Sequence, residues 1–559
     1  MSFSKISAVV FGIAFIIILY AIIVFALRIM YKDVKSGGRK RPNNSRKSYG
    51  IEVLNIVDNS NIKKGSVIPI RGMVTMGRKE ENTVVLSDPH VSGQHAKFLI
   101  KNNILYVEDL NSTNGTFVNG KQVSGKVKLF GKDEIRIGTN VFRVLLTIIE
   151  VIIVKVRRDE KKLLIITYIL CLALFTKLAI LTKPIDTKAL TMGGVLCVVI
   201  GLSHFIIRKF YPDGDKFLLI FACILSVIGI AMIYRIKPDE GLKQILWFIL
   251  GVAVYIITVV ILPEMSRLSK FKYVYLGITV VIMPLAYLFG SETYGATNWI
   301  NIGGMSFQPS ELSKITLVLY LASVLKDFNN DKQGLDHIKQ LVEPALVVMF
   351  CLGCLVLQKD LGSALIFFGV SVSILYVATS KKKYVFICLG LFAVGASIAY
   401  KLFSHIQKRV MIWLDPWAYA NDQGYQIVEG LYSISSGGMM GSGLGNGYPG
   451  FVPVPTSDYI FAAICEEFGM VFGIGIMILI FLMFYRGIRV AFVTDNRFSQ
   501  ITAVGLSTMI ACQVLVIVGG IFAIIPLTGI TLPFISYGGS SILTTFFALG
   551  ILQKVSEEG

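Results

Sequence analysis

Two apolar runs of membrane-spanning length, 341–357 and 362–379, are separated only by Gln358-Lys359-Asp360-Leu361. In lipid a chain must satisfy its own amides and carbonyls, so runs of this length become helices, and so short a link makes them a hairpin. Asp360 then sits at the hairpin tip. A carboxylate at membrane depth costs about 3 kcal/mol unless it faces a cavity or a partner, which makes Asp360 a candidate functional residue. The competing account is local: an Asp just before Leu361 can serve as the N-cap of the second helix. The hairpin alone leaves both accounts open.

The rest of the chain extends the pattern. Over 559 residues it is 54% hydrophobic and 16% charged, with a mean hydropathy of +0.68, values of a polytopic membrane protein carrying a modest soluble part. Residues 7–29 are long enough to span and lack the small-residue cleavage site of a removable signal, so they read as a retained anchor, domain 1–29. A basic linker, 30–49, follows. From residue 163 the sequence predicts twelve further spans: 163–182, 187–207, 217–236, 242–262, 271–290, 309–326, 341–357, 361–379, 384–403, 458–485, 500–525 and 533–553.

The net charge of +19 does not indicate a nucleic-acid partner, because the basic residues gather in short loops between apolar segments. With residues 30–160 placed in the cytoplasm, the basic loops at 208–209, 267–272, 326–339, 381–383 and 486–497 all fall inside. Residues 291–308, the Asp360 tip and the segment 404–457 then face out. All eight cysteines lie in apolar runs, and Cys351 and Cys354 have no second ligand pair, so neither a zinc site nor a disulfide framework is expected.

Residues 50–148 differ in kind. Short alternating stretches separated by turn residues, among them Asn114-Gly115 and Asn119-Gly120, predict about ten strands and a β-sandwich. Gly77-Arg78, Asn82, Ser92, His95, the run Asp109 to Thr116 and Val118-Asn119-Gly120 resemble a forkhead-associated (FHA) domain over about a hundred residues. The resemblance implies phosphothreonine binding, with Gly77 and His95 structural. Chemically, the Arg78 guanidinium can fork onto a phosphate, the Ser92 hydroxyl can donate to it, and Asn114 can hold a peptide backbone. The position after the serine, often Arg in that family, is Gly93.

The membrane part carries a second resemblance. Gly295-Ala296…Trp299-Ile300 with Gln308-Pro309-Ser310-Glu311…Lys314, then Gln358 to Leu365, Arg409…Asp415-Pro416-Trp417, Ser457 to Ala462 with Glu466-Glu467, and Leu532 to Ser541 resemble the SEDS family (shape, elongation, division and sporulation) from about 215 onward. The resemblance implies a polytopic α-helical membrane protein. It would have a ten-helix core at 215–559, three additional N-terminal spans (two of them at 163–207) and an inserted cytoplasmic all-β sandwich. It also implies a bacterial cytoplasmic-membrane enzyme that polymerises lipid II into glycan strands beside a class B penicillin-binding protein transpeptidase. The aspartate matching Asp360 is the essential catalytic residue of such proteins.

A base at the outer membrane edge can deprotonate an acceptor sugar hydroxyl as it attacks the anomeric carbon bearing pyrophosphate. Glu311 and Lys314 share a helix face, as a substrate-contacting pair or an internal ion pair, with Ser310 expected as the N-cap. Arg409 can take the pyrophosphate or pair with Asp415 or Asp458. Glu466 and Glu467 lie about two turns into the helix that Asp458 begins, so at least one of them needs a partner or a cavity. The glycine-serine turn Ser536–Ser541, with Ser536 and Ser540 as candidates, suits an anion or close helix packing. No motif holds a cofactor or a metal, although a divalent cation can accompany the lipid pyrophosphate. Three features depart from the family pattern: Lys359 replaces a proline, Asn298 an arginine, and the 445–457 loop is shortened. The competing function is a lipid II flippase, which would want polar groups along a through-path.

Overall fold

The computed structural model describes residues 3–35, 49–56, 62, 64–70, 73–101, 104–145, 148–293, 296–302, 305–329 and 335–558. Most of the basic linker and part of the 326–339 loop lie outside the described residues. The chain divides into two compact units, Arg39–Lys162 and Met1–Gly38 with Leu163–Gly559.

The described residues of the smaller unit form eleven strands, against the about ten that the sequence pattern suggested: β1 (Tyr49–Asn55), β2 (Val67–Ile70), β3 (Met73–Gly77), β4 (Val84–Val85), β5 (Ala96–Lys101), β6 (Ile104–Asp109), β7 (Thr116–Val118), β8 (Lys121–Gln122), β9 (Lys126–Lys128), β10 (Glu134–Ile137) and β11 (Asn140–Leu145). They form two sheets, in the orders β2-β1-β11-β10-β7-β8 and β4-β3-β5-β6-β9. Alternation does the sorting: β10 buries Ile135 and Ile137, and β11 buries Phe142 and Val144, against Ile51, Val53, Phe98 and Val107. Asn119 (φ 49°) and Gly120 (φ 80°) form the two-residue turn that sets the β7–β8 register, Val118 opposite Lys121. Both central residues need positive φ, which Asn-Gly supplies at low cost.

Among the described residues eleven helices are long and apolar enough to cross a membrane. The two remaining expected spans are the buried helix Pro309–Leu325, only 17 residues long, and Gly539–Glu558. Three expectations need correction. The 458–485 run is not continuous: Ile460–Phe468 ends at Gly469 (φ 87°), and Met470–Val493 starts afresh. A Cβ at Gly469 would collide with the backbone of residues 439–441, so glycine fits the break both sterically and conformationally. The 533–553 run begins its helix only at Gly539, because 532–538 form a turn. The segment 404–457 is not merely a loop, since it holds the helices Ser404–Leu414 and Tyr425–Gly437.

Helix Phe217–Ile236 is buried along nearly its whole length, inside the bundle. Helix Lys382–Leu402 buries none of its residues, which in a bilayer leaves its apolar surface to lipid. The N-terminal helix Phe3–Lys35 packs on the bundle. Leu19 lies against Gly475, Phe15 meets Phe468 edge-on at 5.7 Å, and Tyr20 Oη donates to Val471 O at 3.1 Å.

Candidate functional site

Asp360 is placed by two local devices that share one residue. Helix Leu335–Leu357 closes with the bonds Asp360 N to Leu355 O (2.9 Å) and Lys359 N to Val356 O (3.1 Å) around Lys359 in the left-handed region (φ 60°). This is the paired ending of a Schellman motif. A proline, fixed near −65°, cannot adopt that φ, so Lys359 brings its own turn geometry. Asp360 then caps Leu361–Thr379: Oδ1 accepts from Ser363 N (3.0 Å) and Oδ2 from Ser363 Oγ (2.8 Å).

The capping account is therefore geometrically right, yet it uses only part of the carboxylate. A small antiparallel sheet is formed by β12 (Ser291–Thr293), β13 (Ala296–Ile302) and β14 (Met305–Phe307). Thr297 N donates to Gln358 O at 3.2 Å, which ties the middle strand to the hairpin tip. From this sheet and its exit, Asn298 Nδ2 (3.4 Å) and Gln308 Nε2 (3.0 Å) also donate to Asp360 Oδ2. The tip is thus roofed, and Asp360 is only 3% exposed. Four donors from three elements hold the carboxylate in one orientation.

The segment 527–529 joins this carboxylate to the other candidates. Thr528 packs on Gly362, Leu527 O accepts from Arg409 at 3.4 Å, and Asp458 Oδ2 lies 3.5 Å from where a Cβ of Gly529 would be. The Arg409 guanidinium interacts electrostatically with both Asp360 and Asp458. One turn earlier on the same helix, His405 lies near two cations. Burial, then Arg409 and Lys359, hold its imidazole below the ordinary range, and its buried Nε2 has no hydrogen-bond partner.

The remaining candidates sort by what they touch. Lys314 donates to Glu311 (2.9 Å) and to Gln513 (2.8 Å), Thr544 donates to the other Glu311 oxygen (3.2 Å), and Gln513 reaches Thr531 O (2.9 Å). Glu311 and Lys314 thus form an ion pair inside a network across three helices, which supports the bundle. Ser310 is not the N-cap: the helix starts at Pro309 after Gln308, and the buried Ser310 hydroxyl has no partner. Proline's suitability for the first helical turn shifts the start one residue earlier. Ser536 Oγ donates to Ser457 O (2.6 Å) and accepts from Leu532 N (2.8 Å), while the buried Ser540 hydroxyl is unpartnered. Glu466 accepts from Ser433 Oγ (2.6 Å) and from Tyr448 N, so it clamps two parts of the 404–457 segment. Beside it, Glu467 pairs with Arg235 at 3.3 Å.

At one end of the sandwich three loops meet. Arg78 N donates to Ser92 O (3.0 Å), and Lys79 N to Gly93 O (3.1 Å). Ser92 Oγ accepts from Thr113 N (2.9 Å) and donates to Thr113 Oγ1 (3.3 Å), and Asn114 Nδ2 donates to His90 O (2.8 Å). His95 Nδ1 accepts from Ser92 N (3.0 Å), so its Nε2 carries the proton toward Gly115 O at 3.3 Å. His95 therefore braces two of the loops, and Gly77 is required because a Cβ would strike Gly93 O. Asp88, which the sequence did not single out, accepts from His90 N, Thr139 N and Oγ1, and Asn140 Nδ2.

Burial holds the His95 imidazole below its ordinary range. Its neutral form therefore stabilises the sandwich fully above about pH 6.5, and that contribution is lost as pH falls from there through the folded value. Hydrogen exchange on the full chain, corrected for intrinsic rates, is expected to show weaker protection in 90–95 and 109–116 at pH 5.5 than at pH 7.5. Equal protection would contradict the bracing role.

The family model described as cell cycle protein, FtsW/RodA/SpoVE, matches residues 215–559, and that of the FHA domain matches 74–138. The chain belongs to the FtsW/RodA/SpoVE family. Peptidoglycan glycosyltransferase RodA of Mycobacterium tuberculosis is 36% identical over 390 residues, which cover 65% of this chain and 82% of that protein. Stage V sporulation protein E of Bacillus subtilis is 32% identical over 358 residues, covering 61% of this chain and 96% of that protein. A solved chain described under "Structural coordination of polymerization and crosslinking by a peptidoglycan synthase complex" aligns at a TM-score of 0.54 and 26% identity, over 61% of this chain and 97% of that one.

This FtsW/RodA/SpoVE member is a multi-pass membrane protein with an FHA domain inserted ahead of the matched region. Its two departures near the hairpin both fall on the Asp360 cup: Asn298 is one of the donors, and Lys359 sets the turn. Gln308, Ser363 and His405 gained no role from the sequence. Gln308 alone carried a signal, because it opens the Gln308-Pro309-Ser310-Glu311 motif.

Proposed function

We propose that the membrane unit is a peptidoglycan glycosyltransferase that polymerises lipid II on the outer face of a bacterial cytoplasmic membrane, with Asp360 as general base. The carrying observation is the enclosed Asp360 carboxylate, oriented by Ser363, Asn298 and Gln308 and lying in the field of Arg409. Asp360 takes the proton of the acceptor hydroxyl as that oxygen bonds to the anomeric carbon of the donor. The bond from that carbon to pyrophosphate breaks, and Arg409 offsets the charge that leaves with the polyprenyl pyrophosphate. Among the described residues no group of three or more His, Cys, Asp or Glu could hold a metal ion. A divalent cation would accompany the lipid pyrophosphate and offset part of its charge.

A class B penicillin-binding protein transpeptidase is the partner that would crosslink the product. The FHA unit binds a threonine-phosphorylated protein on the cytoplasmic side and so recruits or concentrates the polymerase, since it has no access to an external reaction. Purified protein in detergent is expected to release one polyprenyl pyrophosphate per disaccharide joined. A flippase would leave every lipid II molecule intact. Orientation has its own test. With the native cysteines removed, Tyr448→Cys is expected to react with an impermeant maleimide in intact cells and Glu81→Cys to remain unlabelled. The opposite pattern would invert the topology.

A further inference from the structure

We propose that Lys79 supplies the second cation of the phosphothreonine site, an inference that rests on the phosphopeptide reading above. A phosphothreonine carries close to two negative charges near pH 7, more than the Arg78 guanidinium alone can offset. Position 93, beside the Ser92 hydroxyl, has no side chain to contribute. Its space is nevertheless taken. The backbone bonds Arg78 N to Ser92 O and Lys79 N to Gly93 O run the two segments side by side, so residues 78 and 79 lie along residues 92 and 93.

A Cβ built on Gly93 would stand 3.1 Å from Lys79 Cγ and 3.2 Å from its Cδ and Cε. The whole methylene stem therefore lies against the Gly93 backbone and carries the ammonium one bond further. Gly93 is not among the positive-φ glycines, so its conformation does not demand glycine. The Lys79 stem crowds that position, so a long side chain at 93 would have to push the lysine aside. In this chain the lysine holds the space. Lys79 is solvent-exposed, and among the described residues no carboxylate pairs with its ammonium. Ser92 and Thr113, bonded to each other, border the same rim.

The test uses the full-length protein in detergent with a degenerate phosphothreonine peptide library and its unphosphorylated twin, read by fluorescence polarisation. Lys79→Met keeps the stem over Gly93 but removes the charge, and it is expected to weaken phosphopeptide binding about tenfold or more. Lys79→Arg is expected to stay within about threefold of the parent. The double variant Lys79→Ala/Gly93→Arg, which moves a cation into the vacated space, is expected to recover most of the loss. If Lys79→Met binds like the parent while Arg78→Ala fails, Lys79 is only a solvated surface residue and the inference is overturned, with the phosphopeptide reading intact. If the parent binds both libraries equally, that reading itself fails and takes the inference with it.

Discussion

Asp360→Asn is expected to give a protein that folds, retains lipid II and turns it over at a small fraction of the parental rate. The helix cap survives, because Asn serves as an N-cap as well as Asp does and its carbonyl can take the bond from Ser363 N. Where Oδ2 accepted from Gln308, Asn298 and Ser363 Oγ, an amide group now stands among donors. Both neighbouring amides can turn to present their oxygens, and the Ser363 hydroxyl can rotate to accept, so the cup can adapt. What no rotation restores is a basic oxygen. The loss of general-base assistance is expected to slow turnover by about 10²–10⁴-fold. Thermal unfolding and lipid II retention measured beside the rate separate the two accounts of Asp360. An unfolded variant would make it chiefly a cap, and parental turnover by a folded variant would remove it from the chemistry.

Arg78→Ala is expected to weaken phosphothreonine-peptide binding by about 2 kcal/mol, roughly thirtyfold, because it removes a charge-assisted phosphate contact. The loop itself is expected to stay in place. Its position is set by backbone bonds to Ser92 and Gly93 and by Asn82 Nδ2 donating to Lys79 O (2.8 Å) and Gly93 O (2.7 Å), none of which involves the Arg78 side chain. Peptide titrations of both proteins measure the loss. A peptide affinity indifferent to phosphorylation and to Arg78 would reduce the sandwich to a scaffold.

The hairpin and the sandwich were legible because each follows from a strict local rule. Two apolar runs joined by so short a link have few alternatives in lipid, and alternation with Asn-Gly turns has few outside it. The roof over Asp360 was not legible. Strands β12–β14 are short and lie between two helices, and their value comes from where Asn298 and Gln308 meet the carboxylate, a contact 62 and 52 residues away in sequence. The break at Gly469 was hidden for a similar reason: the apolar run continues through it, and only the approach of the 439–441 backbone shows why the helix stops. The charged pairs were readable as pairs but not as a network, since Gln513 and Thr544 come from helices far along the chain. Asp88 escaped notice because nothing nearby in sequence marks a residue that organises Thr139 and Asn140.

The most direct measurement gives fluorescent lipid II to the purified protein together with a class B penicillin-binding protein whose transpeptidase is blocked, and resolves the products on a gel. A ladder of glycan chains from the parent and none from Asp360→Asn is the expected result. Ladders of equal strength from both proteins, or no ladder from a folded parent that retains lipid II, would contradict a polymerase acting through Asp360.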